Sequence, residues 1–179
     1  MKLKLIKYIS LIAILLSIFN VSMLFIIRNK KVNNNNKIIN NLINKNNSYN
    51  YIDNGIVGYL EIDRLEIKNV IKKGVDSNIL DQNVIGMLEE NDFGNNNDIF
   101  LAGHNIEEVF KKLHLIKIND KIKITTKDRC YFYKVTKIIT VNDNEIDYLK
   151  NHHKNKLTMV TCTNKSYQRL MVICDLINN

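Results

Sequence analysis

The segment Ile9 to Ile27 constrains this chain most. It is apolar except for Ser10, Ser17, Asn20 and Ser22. Its roughly 19 residues, as a helix rising ~1.5 Å per residue, reach about 28 Å, close to the hydrocarbon thickness of a bilayer. A cleaved leader has a shorter apolar core and a small-residue cleavage site. This run instead ends Phe25-Ile26-Ile27-Arg28 with no such site, so it reads as an uncleaved transmembrane signal anchor. Lysines 2, 4 and 7 flank one side and Arg28, Lys30 and Lys31 the other, so charge alone leaves the orientation open.

The organisation that follows is residues 1–8 as a short N-terminus, 9–27 as the anchor, 28–55 as an Asn/Lys-rich spacer and 56–179 as the folded domain. Within the spacer, Ile38, Ile39, Leu42 and Ile43 have helix-compatible spacing, but the surrounding asparagines are poor helix formers. The expectation is a short marginal helix at best. The net charge of +8 is scattered, with no basic block interleaved with aromatics, which argues against a nucleic-acid partner.

From Ile56 the pattern changes to short alternating runs: 57–62, 67–71, 98–103, 121–126, 131–141, 157–162 and 169–177. Residues 77–87 suit one or two helical turns capped by Asp76 or Ser77. Val109, Phe110 and Leu113 mark one face of a helix over 106–115. About eight short strands with few helices predict a mainly β fold, a closed or nearly closed antiparallel-rich barrel.

The chemistry concentrates in three places. Cys162 ends a strand-like run and precedes the turn-like Thr163-Asn164-Lys165-Ser166. His104 stands after a strand and before the 106–115 segment. Arg169 follows Cys162 by seven positions, so a short turn would return it antiparallel beside the thiol. A thiol, an imidazole and a fixed cation are what acyl transfer through a thioester requires. His114 and His152-His153 read as surface residues, as do Arg64 and Arg129. Cys130 and Cys174 fall in apolar alternation and read as buried small hydrophobes. A disulfide between them has no positive support.

The ordered set Gly103-His104, then Thr158-Met159-Val160-Thr161-Cys162, then Arg169 resembles the sortases, membrane-anchored cysteine transpeptidases of Gram-positive bacteria. That family closes T-L-x-T-C on its Cys; here Met159 replaces the Leu, a volume-conserving swap. The resemblance runs from about Ile56 to the C-terminus. It implies a sortase-like barrel in which Cys162 is the nucleophile, His104 the acid/base and Arg169 the oxyanion cation. Thr161 and Asn105 become candidate substrate-binding residues. It also implies an N-terminus inside, a catalytic domain outside, and surface-protein substrates with a C-terminal sorting signal resembling Leu-Pro-x-Thr-Gly. Cleavage would fall between Thr and Gly, and a cell-wall amine would be the acceptor.

No cofactor or metal is implied. Some relatives bind calcium with acidic residues near this position, but Asp143, Glu145 and Asp147 lack a metal-loop spacing and read as a solvated loop; calcium modulation stays open. The absence of Pro, and hence of an Asp-Pro-aromatic lid element, together with a chain ending at Asn179, disfavours the pilin-building kind. The compact housekeeping or class D/E-like kind fits better. Two rival readings stand beside this one. A thiol protease of the papain type would place Cys before His. A membrane-tethered barrel that only binds envelope ligands would retain the trio passively.

Overall fold

The computed structural model describes residues 2–43, 55–88, 93, 98–145, 155–165 and 167–178. They divide into two compact units, 1–34 and 35–179. Helix α1 runs Lys2–Ile43. In the first unit it is long and apolar enough to cross a membrane, and its side chains from Ile6 to Ile27 are exposed.

The second unit is a closed barrel of eight strands: β1 (Ile56–Ile62), β2 (Ile67–Lys73), β3 (Ile85–Met87), β4 (Ile99–Ala102), β5 (Lys121–Thr126), β6 (Cys130–Asn142), β7 (Lys156–Cys162) and β8 (Gln168–Asn178). Their order around the barrel is β1-β2-β3-β4-β7-β8-β6-β5. The β2·β3 and β4·β7 pairs are parallel and the other pairs are antiparallel. Each parallel pair needs a crossover. Between β2 and β3 it is made by the short helix α2 (Ser77–Leu80). Between β4 and β7 it is the whole β5–β6 excursion.

Alternation builds the barrel wall. Ile122 and Ile124 on β5, and Tyr131, Tyr133 and Val135 on β6, point inward; Lys121, Phe132 and Lys134 point out. The interior is packed by Leu60, Ile71, Met87, Leu101, Met159 and Val172, among others. β7 does not alternate: Leu157 through Thr161 are all buried. On its outer face Val160 is buried in a second apolar cluster with Phe100, Val141 and Met171 of the neighbouring strands. A strand covered on both faces reads as a continuous apolar run.

Four expectations need correction. The last turns of α1 are not spacer. Asn35, Ile38, Ile39 and Leu42 form one helical stripe, buried with Ile56, Tyr59, Val70 and Val84 of the barrel unit. Tertiary burial there overrides the weak helix propensity of asparagine. The 77–87 segment is helical only over α2, where Asp76 Oδ1 accepts the Ile79 N–H at 3.1 Å. Ile85–Met87 is strand β3, whose three residues are too few to show a period. The 106–115 segment is a turn followed by a 3-10 helix, Lys111–Leu115, although Val109, Phe110 and Leu113 are buried as the periodicity requires. Finally, Cys130 is exposed at the start of β6; only Cys174 is buried, and both are free thiols.

Candidate active site

Strand register brings the three sequence candidates together. In the parallel β4·β7 pair Ala102 lies opposite Val160, and the ladder continues as Gly103 N–H donates to Val160 O at 3.1 Å. His104 therefore leaves β4 level with Cys162 at the end of β7. In the antiparallel β7·β8 pair Cys162 lies directly opposite Arg169. Neighbouring strands stand ~4.8 Å apart, so residues 104, 162 and 169 come level in one row at the ends of β4, β7 and β8. All three share strand parity with Ala102, Val160 and Met171, so they continue the outer apolar layer.

Local packing explains why the row forms. A Cβ on buried Gly103 would come within 2.6 Å of Phe110 and 2.7 Å of Val109, so only glycine lets these residues close over the chain just before His104. Phe110 N–H in turn donates to His104 O at 3.1 Å. Thr161, only 4% exposed, donates its hydroxyl to Gly103 O at 2.8 Å and ties β7 to the end of β4. That hydroxyl is thus committed to the scaffold. The 163–168 turn is closed by Thr163 N–H to Gln168 O at 3.1 Å and Gln168 N–H to Lys165 O at 3.0 Å, which returns Arg169 to Cys162.

Two carboxylates attend the row. Asp81 Oδ1 lies 3.2 Å from His104 Nε2. Asp143 Oδ1 lies 2.9 Å from Arg169 Nη1, which also donates to Gln168 O at 3.1 Å. Asp143 is therefore not a merely solvated loop residue. Its backbone N–H is fixed on Tyr167 O at 3.1 Å. Glu145 Oε2 accepts the Asn142 N–H at 3.0 Å. Asp147 and His152-His153 lie outside the described residues. Among the described residues no group of three His, Cys, Asp or Glu side chains is placed to hold a metal ion.

Cys162 also lines a cavity of about 470 Å³ with Asn105, His114, Thr140, Thr161 and Thr163. Asn105 is thus near the thiol, while the ring partner of His104 is Asp81. His114, expected as a surface residue, lines this cavity, with Nδ1 2.6 Å from Lys111 O. The three thiols differ sharply in setting. Cys162 is exposed at a strand exit. Cys130 is exposed beside Thr125, with Sγ and Oγ1 3.5 Å apart. Burial, with the nearby Asp175 charge, pushes the Cys174 thiol far up, which leaves it inert. Sequence reasoning missed Asp81, which carries no motif. It noticed Asp143 but assigned it to solvent.

Comparison with known proteins follows the same residues. A family profile described as "Sortase domain" matches residues 60–177. Sortase A of Bacillus anthracis is 28% identical over 94 residues, covering 50% of this chain and 45% of that protein, so the match spans less than half of the relative's length. The solved structure of a Clostridium perfringens sortase D5 transpeptidase superposes with a TM-score of 0.68 at 26% identity, covering 80% of this chain and 98% of that one. Sortase C1 of Streptococcus agalactiae superposes at 0.64 with 29% identity, covering 74% of each chain. The barrel, its strand register and the matched domain agree: this chain belongs to the sortase family.

Proposed function

We propose that this protein is a membrane-anchored cysteine transpeptidase acting on a C-terminal sorting signal of the Leu-Pro-x-Thr-Gly kind. The observation that carries the reading is the row of His104, Cys162 and Arg169 on three adjacent strands. In the first step the Cys162 sulfur attacks the Thr carbonyl carbon. Arg169 faces the oxygen as it gains charge. The carbon–nitrogen bond to Gly then breaks, and His104 delivers a proton to the leaving amine. In the second step an amine of the cell wall attacks the thioester carbonyl. The Cys162 thiolate leaves, and His104 takes up the amine's proton. Over the two steps together, the proton that His104 gives to the leaving amine is replaced by the one it takes from the incoming amine, so the Cys162–His104 pair returns to its starting protonation and no external oxidant enters.

Phe100, Val160 and Met171, all buried, pack on the outer side of the strands whose ends carry the row. The membrane-length helix supports an anchor; an N-terminus inside and a catalytic unit outside follow from the family resemblance. Coverage of nearly the whole C. perfringens sortase D5 chain supports a compact, class D-like enzyme.

The test is intact-mass analysis of the full chain in detergent, incubated with Leu-Pro-x-Thr-Gly peptides. A mass gain mapping to Cys162, released as an amide when a glycine amine is added, is the expected result. A folded protein whose Cys162 alkylates normally but forms no adduct with any such peptide, and discharges none to an amine, would overturn this substrate assignment.

A further inference from the structure

We propose that Asp81 is a positioning residue for His104, holding the ring so that Nδ1 is presented to the Cys162 thiol. The inference rests on the reading of Cys162 and His104 as the reacting pair. An ionised carboxylate only accepts hydrogen bonds. The 3.2 Å contact between Asp81 Oδ1 and His104 Nε2 therefore requires the proton on Nε2, leaving Nδ1 of the neutral ring as the acceptor. Topology sets the direction. β4 lies between β3 and β7 in the barrel. Asp81 belongs to the crossover that feeds β3, and Cys162 ends β7. His104, at the end of β4, is gripped on the β3 side, so the rest of its ring is turned towards the β7 side. A base whose second nitrogen is fixed by a third group is the general logic of an activated nucleophile.

Asp81 has a rigid backbone for this task. Its N–H donates to Ser77 O at 2.9 Å, closing α2. Leu80, the residue before it, packs where a Cβ on Gly86 would come within 2.9 Å. Asn83, two residues on, takes the left-handed conformation at φ 60°, and its carbonyl accepts hydrogen bonds from Asn35 and Asn69, each at 2.9 Å. The end of α1 thus braces the same turn from outside. The side chains of Asp81 and His104 are 71% and 41% exposed, so water competes for the contact and its loss has a moderate effect.

The test uses the full chain in detergent and iodoacetamide as probe, with Cys162 and Cys130 followed separately by peptide mass. A thiol freed of a well-placed base spends less time as thiolate. Asp81→Ala is expected to slow Cys162 alkylation about threefold to tenfold, the scale of one part-exposed charged hydrogen bond. Cys130, exposed and outside the row, should react as before, and buried Cys174 should stay unreactive, reporting an intact fold. Asp81→Asn keeps an oxygen acceptor for Nε2–H and should recover most of the rate. Adding Asp81→Ala to His104→Ala should slow the thiol no further. Asp81→Ser, also too short to reach the ring, gives a second reading should Asp81→Ala fold poorly. Wild-type rates in Asp81→Ala and Asp81→Ser, with His104→Ala slow, would overturn the inference and leave the pair standing. A wild-type rate in His104→Ala would instead remove the pair itself, and this inference with it.

Discussion

Two outer faces of the same barrel are built on opposite terms. Where β5, β1 and β2 meet solvent the outward positions are charged, while Tyr59 and Val70 on the same strands lie under the end of α1. Glu61 lies directly opposite Lys68 on β2 and Lys123 on β5, with its two oxygens 2.8 and 3.0 Å from the ammonium groups. On β4, β7, β8 and β6 the outward positions are Phe100, Val160, Met171 and Val141, all buried. The first face ends in solvent. The second ends in His104, Cys162 and Arg169. Charge stands where the first face meets water; the second buries apolar side chains up to its reactive end.

The sharpest way to break the comparison is at the two exposed thiols, one on each side of the barrel. Cys162→Ala is expected to abolish peptide turnover, a loss of about 10³-fold or more, with an unchanged melting temperature. Cys130→Ala, at the edge of the charged face, should leave turnover intact. Equal losses in both variants, measured as kcat/KM on the same peptide, would mean that the thiols matter for folding and not for chemistry.

The next test is the cation. Arg169→Ala should lower kcat about 10²- to 10³-fold, the range for one donor to a developing oxyanion. Arg169→Lys should recover little. A lysine keeps the charge but not the planar fork that here holds Asp143 with Nη1. Full activity in Arg169→Lys would reduce the role of this residue to a diffuse positive field.

Where the sequence was legible, one face of a strand met water. Lys121-Ile122-Lys123-Ile124 shows its period openly, and β5 falls where the alternation places it. Gly103-His104 and Thr161-Cys162 stood out because, in that order and followed by Arg169, they resemble the sortase pattern; either pair alone is a weak signal. β3 was illegible because three residues cannot carry a period; its identity comes from pairing with Ile71–Lys73 and Leu101–Ala102. Asp81 was illegible for another reason. Its partner is 23 residues away in the chain, and nothing in a lone Asp after a short helix announces it. The end of α1 lay between the two cases. Its apolar spacing was seen, but spacing alone does not say what a stripe rests on.

That stripe supplies the third prediction, on stability. Deleting residues 1–34 removes only the first unit and should leave the barrel's melting temperature nearly unchanged. Deleting residues 1–43 uncovers Tyr59, Val70 and Val84 and removes Ile38, Ile39 and Leu42 from their contacts. At ~1.5–3 kcal/mol per fully buried aliphatic side chain, the cost is about 4 kcal/mol or more before the end of the helix is allowed to fray. Chemical denaturation of the two truncated proteins reads it directly. Equal midpoints would show that the helix end contributes no packing to the barrel.

The smallest effect belongs to the charged face, and its pH dependence is what distinguishes it. Burial alone would raise the Glu61 carboxyl above its ordinary value, but hydrogen bonds and charge from Lys68 and Lys123 outweigh burial and hold it below. A carboxylate depressed in the folded state adds stability above its unfolded pKa of ~4.3, and that stability is lost as pH falls through the lower, folded value. Glu61→Gln should therefore destabilise the barrel at neutral pH by about 0.5–1 kcal/mol, as expected for cross-strand pairs with part-exposed lysines. The gap from wild type should narrow as the solution is acidified below pH ~4. High salt should narrow it at neutral pH as well, because the lysines face water. Met171→Ala on the apolar face should behave otherwise: its cost, about 2–5 kcal/mol, comes from lost packing and should change little with pH or salt. If the two variants responded to acid and salt in the same way, the contrast between the faces would be one of sequence only and not of physics.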